Sequence, residues 1–467
     1  MNDPAAPPRR RGLALGLILA GQLLVVIDGS IVTLALPAIQ RQLGFTPAGL
    51  QWIMSAYALT FGGFLLFGGR LADLLGRRTV LVSGACVFTA ASLACGLASS
   101  PCVLIAARAA EGIGAAMIAP AAMSLIVAMF PEGPERNKAL GVLGAVGGAG
   151  ATVGVLAGGM LTTWLSWRWI FLINLPVGAL VVAAAGPLLP ESRAGLGHRR
   201  FDVAGAVTVT AGLSLLVYAV VSTASHGWVC TIGLLTGAAA LVAAFIATEA
   251  KSAAPLVPLA FFGNRVATAA NLAALLLGAV MSPTFVFVPL YLQQVLGYSP
   301  ARAGLALLVT PVGMIASSWL AQGLVTRVGA RLVLITGILG FAAVQVLFIR
   351  LPVTGSYTTH LLPGLVLTSA ALGLALVADA IASATGVKAA EAGLASGMIN
   401  ASQQTGGAIG LAIAATVAAS RSAALLRSGR AHHVALTGGY HAAFAIACAL
   451  ALAAAIAAAT LLRSYDS

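Results

Sequence analysis

Charged residues are scarce in this chain of 467 residues: Asp, Glu, Lys and Arg together make up 8% of it, whereas 60% is hydrophobic. A soluble globular domain carries about 25% charged residues. The mean hydropathy is +1.01. This composition excludes a water-soluble fold and indicates a membrane protein with many spans, since one transmembrane helix needs roughly 20 mostly apolar residues.

The residues that several other chemistries require are also missing. The chain has no Gly-Lys dipeptide and therefore no phosphate loop of the Walker type. Its five cysteines show no Cys-x-x-Cys spacing, so we expect small buried side chains and no metal or redox site. No catalytic nucleophile or pair of catalytic carboxylates is recognisable. We therefore expect neither an enzyme nor a cofactor, and an ion gradient remains as the energy source.

The net charge of +13 indicates membrane topology. The basic residues are scattered through short loops and do not form one stripe with interleaved aromatics, so we expect no nucleic-acid partner. Arginine outnumbers lysine 22 to 3, which points to a bacterium with a GC-rich genome. The apolar run after Arg9, Arg10 and Arg11 is too long for a signal peptide and contains Asp28, so we expect it to be a retained first span.

Apolar runs separated by charged or Gly/Pro-containing loops predict an all-α membrane protein with fourteen spans. Their limits are 13–36, 49–70, 79–99, 102–129, 138–162, 168–189, 203–223, 229–248, 267–292, 302–323, 331–350, 360–386, 393–417 and 440–462. An even number puts both termini on one side of the membrane. If that side is the cytoplasm, 17 of the 25 basic residues are inside and 7 outside, as the positive-inside rule favours, although Arg421 to Arg430 then form a basic outer loop.

An internal repeat predicts two halves. Gly76-Arg77-Arg78 closes one inner hairpin, and Gly329-Ala330-Arg331, which follows it by 253 residues, closes another. This offset corresponds to six spans plus two extra ones. We therefore predict a six-helix half at 1–190, two inserted helices at 191–266 and a second six-helix half at 267–467, which is the repeat architecture of secondary transporters.

Three charged residues are expected inside spans. Asp28 lies within the first span, and Arg108 and Glu111 lie three residues apart on one face of the fourth. A charge at this depth costs at least about 2.5 kcal/mol unless it is paired, protonated or in contact with water. The structural alternatives are a hydrogen bond to a neighbouring helix for Asp28 and a self-neutralising pair for Arg108 and Glu111. The functional hypothesis, which we favour, is that a carboxylate binds and releases protons as the conformation alternates.

The inner loop between spans two and three predicts a gate. Its glycines allow tight turns, and its acidic and basic side chains can form ion pairs that hold one conformation. Anchoring by the positive-inside rule would explain the arginines alone. The gate residues that we predict are Gly69, Arg70, Asp73, Gly76, Arg77 and Arg78.

Two further groups are predicted from spacing and polarity. Glycines repeat every four residues in span five and give a smooth face for close packing of another helix; they are Gly150, Gly154, Gly158 and Gly159. Polar residues within or near spans are candidates for a substrate cavity, namely Tyr57, Tyr291, Gln293, Asp379, Asn400 and Gln404. Belt residues near the interfaces, or an inner water-filled vestibule in the case of Asp379, are the alternatives.

Four of these stretches, residues 28–37, 69–78, 108–116 and 166–176, resemble in order and spacing the signature motifs of the fourteen-span drug:proton antiporters of the major facilitator superfamily. The similarity extends through Tyr291-Leu292-Gln293 and residues 393–410, so it covers nearly the whole chain. The resemblance implies the major facilitator fold and export of drugs or antibiotics in exchange for protons.

By this resemblance, Asp28 takes part in coupling, Arg108 belongs to the proton relay, residues 69–78 gate the inner face, and the span-five glycines form a bending element. Two positions depart from the family pattern: Glu111 stands where the family usually has Gln, and Val155 stands where it usually has Pro. Glu111 therefore adds a titratable group, and the antiporter motif is incomplete.

The expected partners are protons, the lipid bilayer and a small amphipathic substrate, and we expect a monomer in the bacterial cytoplasmic membrane. Two other functions remain open at this point. One is a transporter of the same fold for a single metabolite, and the other is a non-transporting membrane sensor or assembly subunit. The breadth of resistance in an efflux-deficient host distinguishes the first, and neutral replacements of Asp28 and Arg108 distinguish the second.

Overall fold

The computed structural model describes residues 8–130, 134–191, 203–251, 265–384 and 392–461, and these residues form helices and short connections. The helices are α1 (Pro8–Ile31), α2 (Leu36–Leu43), α3 (Pro47–Leu50), α4 (Trp52–Leu75), α5 (Arg77–Gly96), α6 (Pro101–Met129), α7 (Pro134–Trp164), α8 (Trp169–Leu172), α9 (Asn174–Leu188), α10 (Val203–Lys251), α11 (Arg265–Leu290), α12 (Pro300–Leu307), α13 (Val309–Val328), α14 (Ala330–Ile349), α15 (Leu362–Ala384), α16 (Ala392–Arg427) and α17 (His432–Leu461). Within the described ranges, eleven segments are long and apolar enough to cross a membrane. We call α1–α9 the N-terminal half and α11–α17 the C-terminal half.

The two hairpins that the sequence predicts on the inner side, here called the inner hairpins, have the same structure in both halves. Gly76 (φ 113°) separates α4 from α5, and Gly329 (φ 84°) separates α13 from α14, which are conformations that favour glycine. One side chain then ties each hairpin to the last helix of its own half. The Arg78 guanidinium donates to the Leu189 carbonyl (3.2 Å), and that of Arg331, 253 residues later, donates to the Ala459 carbonyl (2.9 Å). The structural repeat is therefore visible at the level of single hydrogen bonds.

The inserted helix α10 doubles back on itself. A straight helix of its 49 residues would be about 73 Å long, more than twice the thickness of a bilayer core. Yet a Cβ built on Gly212 would lie 3.2 Å from Cβ of Leu241, so the chain reverses direction between these two residues. The result is two apolar arms, which contain the apolar stretches Val207–Leu216 and Val229–Lys251. α10 contacts α4 of one half and α16 of the other.

Two expectations about the surface are wrong. The predicted outer loop around Arg421 to Arg430 is mostly helical, because the alanine-rich sequence before it carries α16 on to Arg427, and α17 already begins at His432. Cys86, Cys102 and Cys230 are exposed and not buried. A membrane protein presents apolar side chains to lipid as well as to its core, so apolarity alone does not predict burial.

The largest apolar cluster joins the halves at one end, and a smaller one, of Leu59 with Ala408 and Ala412, joins α4 to α16. The largest cluster combines Leu34 and Phe45 of the N-terminal half with Tyr291 and Phe444 of the C-terminal half. At the other end, separate clusters belong to one half each. Two hydrogen bonds reinforce the joined end: the Ala301 amide donates to Thr163 Oγ1 (2.9 Å), and Gln294 Nε2 donates to Gln40 Oε1 (3.1 Å). A central cavity lies between the halves.

Candidate functional site

A buried cluster of three charges lies beside the cavity in the N-terminal half. Arg108 Nη1 donates to Asp28 Oδ2 at 2.6 Å and to Glu111 Oε2 at 2.7 Å, while Arg108 Nε donates to the Ile53 carbonyl at 3.1 Å. All three charged side chains are fully buried. The structure thus brings together the residues predicted for proton coupling, and it pairs Arg108 with Asp28 as well as with Glu111.

Close helix packing positions this cluster. Gly112 lies against the Tyr57 carbonyl, so α6 approaches α4 closely enough for Arg108 to reach the backbone of Ile53. On the other side, Gly154 of α7 lies against the Ile27 carbonyl, next to Asp28 on α1. Small residues at both contacts allow backbone to approach backbone, as at other close helix crossings in membranes.

The charges of the cluster do not balance when both carboxylates are ionised. Two carboxylates face one guanidinium, so the sum is −1, and one proton shared by Asp28 and Glu111 brings it to zero. An uncompensated charge in a buried site costs several kcal/mol. Asp28 Oδ1 and Glu111 Oε1 have no hydrogen-bond partner among the described residues, so each carboxylate keeps an oxygen that can carry a proton.

Tyr57 connects the charge cluster to the cavity. Its ring centroid lies 4.4 Å from Cζ of Arg108, which is cation–π distance. The same residue borders the cavity. A ligand that displaces this ring therefore changes the environment of Arg108 directly.

The cavity has a volume of about 420 Å³ and is bordered by both halves. This is the size range of pockets for small molecules. Among the described residues its lining is mostly apolar, with Phe285 and the flexible Met54, Met281 and Met314, and it contains no charged side chain. The polar lining residues are Ser30, Thr33, Ser55, Tyr57, Ser282, Thr284, Thr310, Thr368, Gln403 and Gln404. Such a wall suits an amphipathic compound.

The residues predicted for the cavity separate into two groups. Tyr57 and Gln404 border it, whereas Tyr291, Gln293, Asp379 and Asn400 are not among the described lining residues. The Tyr291 hydroxyl donates to the Pro352 carbonyl at 2.5 Å, which is a tie within the C-terminal half. Asp379 is buried on α15, seven residues and about 10 Å beyond the lining residue Leu372.

The inner hairpin of the N-terminal half has a partner that sequence reasoning missed. Arg78 Nε lies 3.4 Å from Glu191 Oε2, and the Thr79 hydroxyl donates to the same oxygen at 2.7 Å. Gly76 also adjoins Glu191, and Gly69 packs beside Pro120. The contacts of Gly76, Arg78 and Thr79 join the hairpin to the segment just after α9, and the contact of Gly69 packs α4 against α6.

The remaining predicted gate residues are Arg70, Asp73 and Arg77. Arg77 is part of the same hairpin, and the side chains of Arg70 and Asp73 lie outside the described part of the chain. Gating by this segment stays a prediction.

The span-five glycines contact two helices. Gly150 packs against Leu23 and Val26, and Gly158 packs against the Ile31 carbonyl, so the stripe follows α1. Gly159 instead lies against the Pro300 carbonyl of the C-terminal half. The stripe therefore allows the close packing that its spacing predicts, and α1 is the helix that carries Asp28.

Sequence reasoning missed most of the cavity wall. Ser55 and Thr368 carry ordinary hydroxyls on apolar helices, and nothing in their local sequence indicates which way they face.

Similarity to known proteins agrees with this geometry. Residues 18–411 and 270–466 match the model of the Major Facilitator Superfamily. The chain belongs to this superfamily. As a major facilitator protein it is a multi-pass membrane transporter and not an enzyme, which confirms these expectations from the sequence.

Three relatives of this major facilitator protein are antibiotic exporters or resistance proteins by name. The chain is 43% identical over 418 residues to the cephamycin export protein CmcT of Amycolatopsis lactamdurans, with 87% of this chain and 85% of the relative covered. It is 40% identical over 425 residues to the puromycin resistance protein of Streptomyces alboniger (90% and 84% covered). It is 38% identical over 413 residues to the lincomycin resistance protein of Streptomyces lincolnensis (88% and 85% covered). These relatives confirm the resemblance to the drug-exporting members.

Solved structures share the fold at low sequence identity. The nucleoside transporter NupG superimposes with a TM-score of 0.69 at 14% identity, over 97% of this chain and 100% of that one. The peptide transporter PepTSo gives 0.70 at 14% identity, over 98% and 99%. These likenesses establish the major facilitator fold alone.

Proposed function

We propose that this protein exports antibiotics or similar small amphipathic compounds across the bacterial cytoplasmic membrane in exchange for protons. The named relatives export or confer resistance to such compounds. The observation that carries the proton coupling is the charge cluster, in which two carboxylates share one guanidinium beside an uncharged cavity.

The two sites are coupled in one cycle. A proton held by Asp28 and Glu111 balances Arg108 while the cavity is empty. A substrate that enters from the cytoplasmic side contacts Tyr57, whose ring lies on Arg108, and the proton is released to that side. The substrate then leaves on the outer side, where a new proton restores the balance. Because the described lining residues carry no charge, substrate and proton occupy separate places.

We also propose fourteen spans, with both termini in the cytoplasm. To the eleven apolar segments we add three further spans. They are α7, the apolar part of α4 (Trp52–Leu65) and the first arm of α10, which contains the apolar stretch Val207–Leu216. The excess of basic residues in the predicted inner loops supports the orientation. A cysteine introduced near either terminus is then accessible to a membrane-impermeant thiol reagent in inverted vesicles and protected in intact cells.

Inverted vesicles that carry the protein test the coupling. An acid-inside pH gradient is imposed, and puromycin or another lipophilic compound is added. We expect the wild type to release protons from the vesicles when substrate is present and Asp28→Asn not to do so, because the cluster of the variant cannot exchange the balancing proton. Asp379→Asn is the matched control, since it neutralises a buried carboxylate away from the cluster and should keep substrate-driven proton release. A correctly inserted Asp28→Asn that still releases protons would contradict the proposal.

A narrower function has one observation in its favour, because a relative is named for the export of a single compound class, the cephamycins. Growth of an efflux-deficient host on a panel of unrelated antibiotics distinguishes the two. Resistance confined to one chemical class would favour the narrow exporter.

A further inference from the structure

Two hydroxyls on the cavity wall have no hydrogen-bond partner. Ser55 and Tyr57 both lie on α4, both border the cavity, and both are buried, Ser55 completely and Tyr57 to 5% exposure. Neither Ser55 Oγ nor Tyr57 Oη has a hydrogen-bond partner among the described residues. Buried polar atoms are rarely left in this condition, so each calls for an explanation.

Three other hydroxyls on the same wall differ. The Thr368 hydroxyl donates to the Gly364 carbonyl (2.7 Å), that of Ser30 to the Ile27 carbonyl (3.0 Å), and that of Thr284 to the Val280 carbonyl (3.2 Å). Each of these is satisfied by its own helix, as Ser and Thr side chains in membrane helices commonly are. A tyrosine hydroxyl lies too far from its own backbone to do the same, and Ser55 does not do so.

The two unpartnered hydroxyls flank the cavity-facing side of α4. Met54 and Ala58 also border the cavity and occupy the middle of that face. Residues two apart on a helix point in well-separated directions, so Ser55 and Tyr57 lie at opposite edges of it. An apolar strip thus runs between two polar points.

We propose that Ser55 and Tyr57 are the polar anchoring points for the transported compound. The hydroxyl of each forms a hydrogen bond with a hydroxyl, carbonyl or amide group of an otherwise apolar molecule. The inference rests on the proposed export function and specifies its substrate class. Compounds with two separated hydrogen-bonding groups are preferred over purely hydrophobic ones of the same size. The apolar body of the compound lies against Met54 and Ala58.

The test compares two probes on the purified full-length protein in proteoliposomes. Puromycin bears hydroxyl and amide groups, whereas tetraphenylphosphonium has no hydrogen-bonding group. We expect Tyr57→Phe and Ser55→Ala each to raise KM for puromycin roughly fivefold, the effect of one lost hydrogen bond, and to leave KM for tetraphenylphosphonium unchanged. The two fold-changes should multiply in the double variant, because the hydroxyls act at separate points. Ser318→Ala is the control: it removes a hydroxyl that donates to the Met314 carbonyl of its own helix (2.7 Å) and that is not among the described lining residues, so the ratio of the two KM values should stay at the wild-type value.

Thermal stability without substrate provides a second readout. Removing an unpartnered buried hydroxyl should leave the melting temperature of Tyr57→Phe unchanged or raise it, whereas loss of a structural hydrogen bond would lower it. Equal KM changes for both probes, or a lowered melting temperature with unchanged selectivity, would overturn the anchoring role while export by the wild type stands. A wild type that moves neither probe nor any compound of a wider panel would overturn the export function itself, and the anchoring role with it.

Discussion

The two halves of this protein share a framework and differ in charge. Ser92 of α5 adjoins the charge cluster through Asn174, and the residue 253 positions later, Gln345 of α14, is also fully buried. Gln345, however, donates to Thr284 at 2.8 Å, so this level of the C-terminal half holds a neutral pair. Asp28, Arg108 and Glu111 have no charged counterpart there among the described residues. The comparison indicates that a repeated scaffold can carry buried charges in one copy and a neutral pair at the corresponding level of the other.

The largest difference in export and stability is expected between Arg108→Met in the N-terminal half and Gln345→Met in the C-terminal half. Removing Arg108 leaves two buried carboxylates without a cation, which costs about 3–5 kcal/mol, and we expect export to fall at least about a hundredfold. Gln345→Met leaves Thr284 still bonded to its own helix and should cost about 1 kcal/mol. Export rates and melting temperatures of both variants measure the difference. Equal losses would mean that the halves are energetically alike.

The next effect is expected at the contact between α7 and α1. Gly154→Val places a branched side chain against Ser30 and the Ile27 carbonyl, which moves α1 and with it Asp28. Overpacking of this kind costs about 1–3 kcal/mol, so we expect roughly a tenfold loss of export. Gly233→Val on α10 is the control, because a Cβ there meets nothing within 4 Å. If export survives Gly154→Val unchanged, the glycine stripe does not position the cluster.

A smaller effect on rate but a distinct effect on coupling is expected for Glu111→Gln. This change leaves Asp28 paired with Arg108, so the cluster is balanced without a proton. We expect substrate flux down its own gradient to stay within about threefold and the number of protons exchanged per substrate to fall from one to zero, because the balanced cluster no longer takes up a proton. The reversal potential of substrate flux in proteoliposomes measures the ratio of protons to substrate. An unchanged ratio would assign the coupling to Asp28 alone.

The smallest effects on stability are expected for substitutions at the two repeated hairpins. Arg331→Ala removes a side-chain bond to the Ala459 carbonyl and should lower stability by about 1 kcal/mol. Arg78→Ala should cost slightly more, since the half-exposed ion pair with Glu191 adds up to about 1 kcal/mol. Melting temperatures of the two variants in detergent compare them. A larger loss for Arg331→Ala would show that the two hairpins are not equivalent in stability.

Much of this fold is readable from the sequence, because long apolar runs can only be spans and glycine-arginine hairpins mark the repeat. The proximity of Arg108 to Glu111 follows from helical spacing. The meeting of Arg108 with Asp28 does not, since 80 residues separate them and only the packing of α6 against α1 brings them together. The cavity wall was the hardest part, because several helices from both halves contribute to it. Exposure of Cys86 and Cys102 was missed because lipid and protein interior select the same apolar residues.

The hairpin formed by α10 has a mechanical consequence. It belongs to neither half, yet Thr210 lies against Gly63 of α4, and α10 also rests on α16 across the seam. The hairpin is thus a third unit that packs against both halves of the transporter. If the halves rotate against each other during transport, the hairpin must slide over at least one of them. Its described residues border neither the charge cluster nor the cavity, yet the hairpin would then add resistance to each transport cycle.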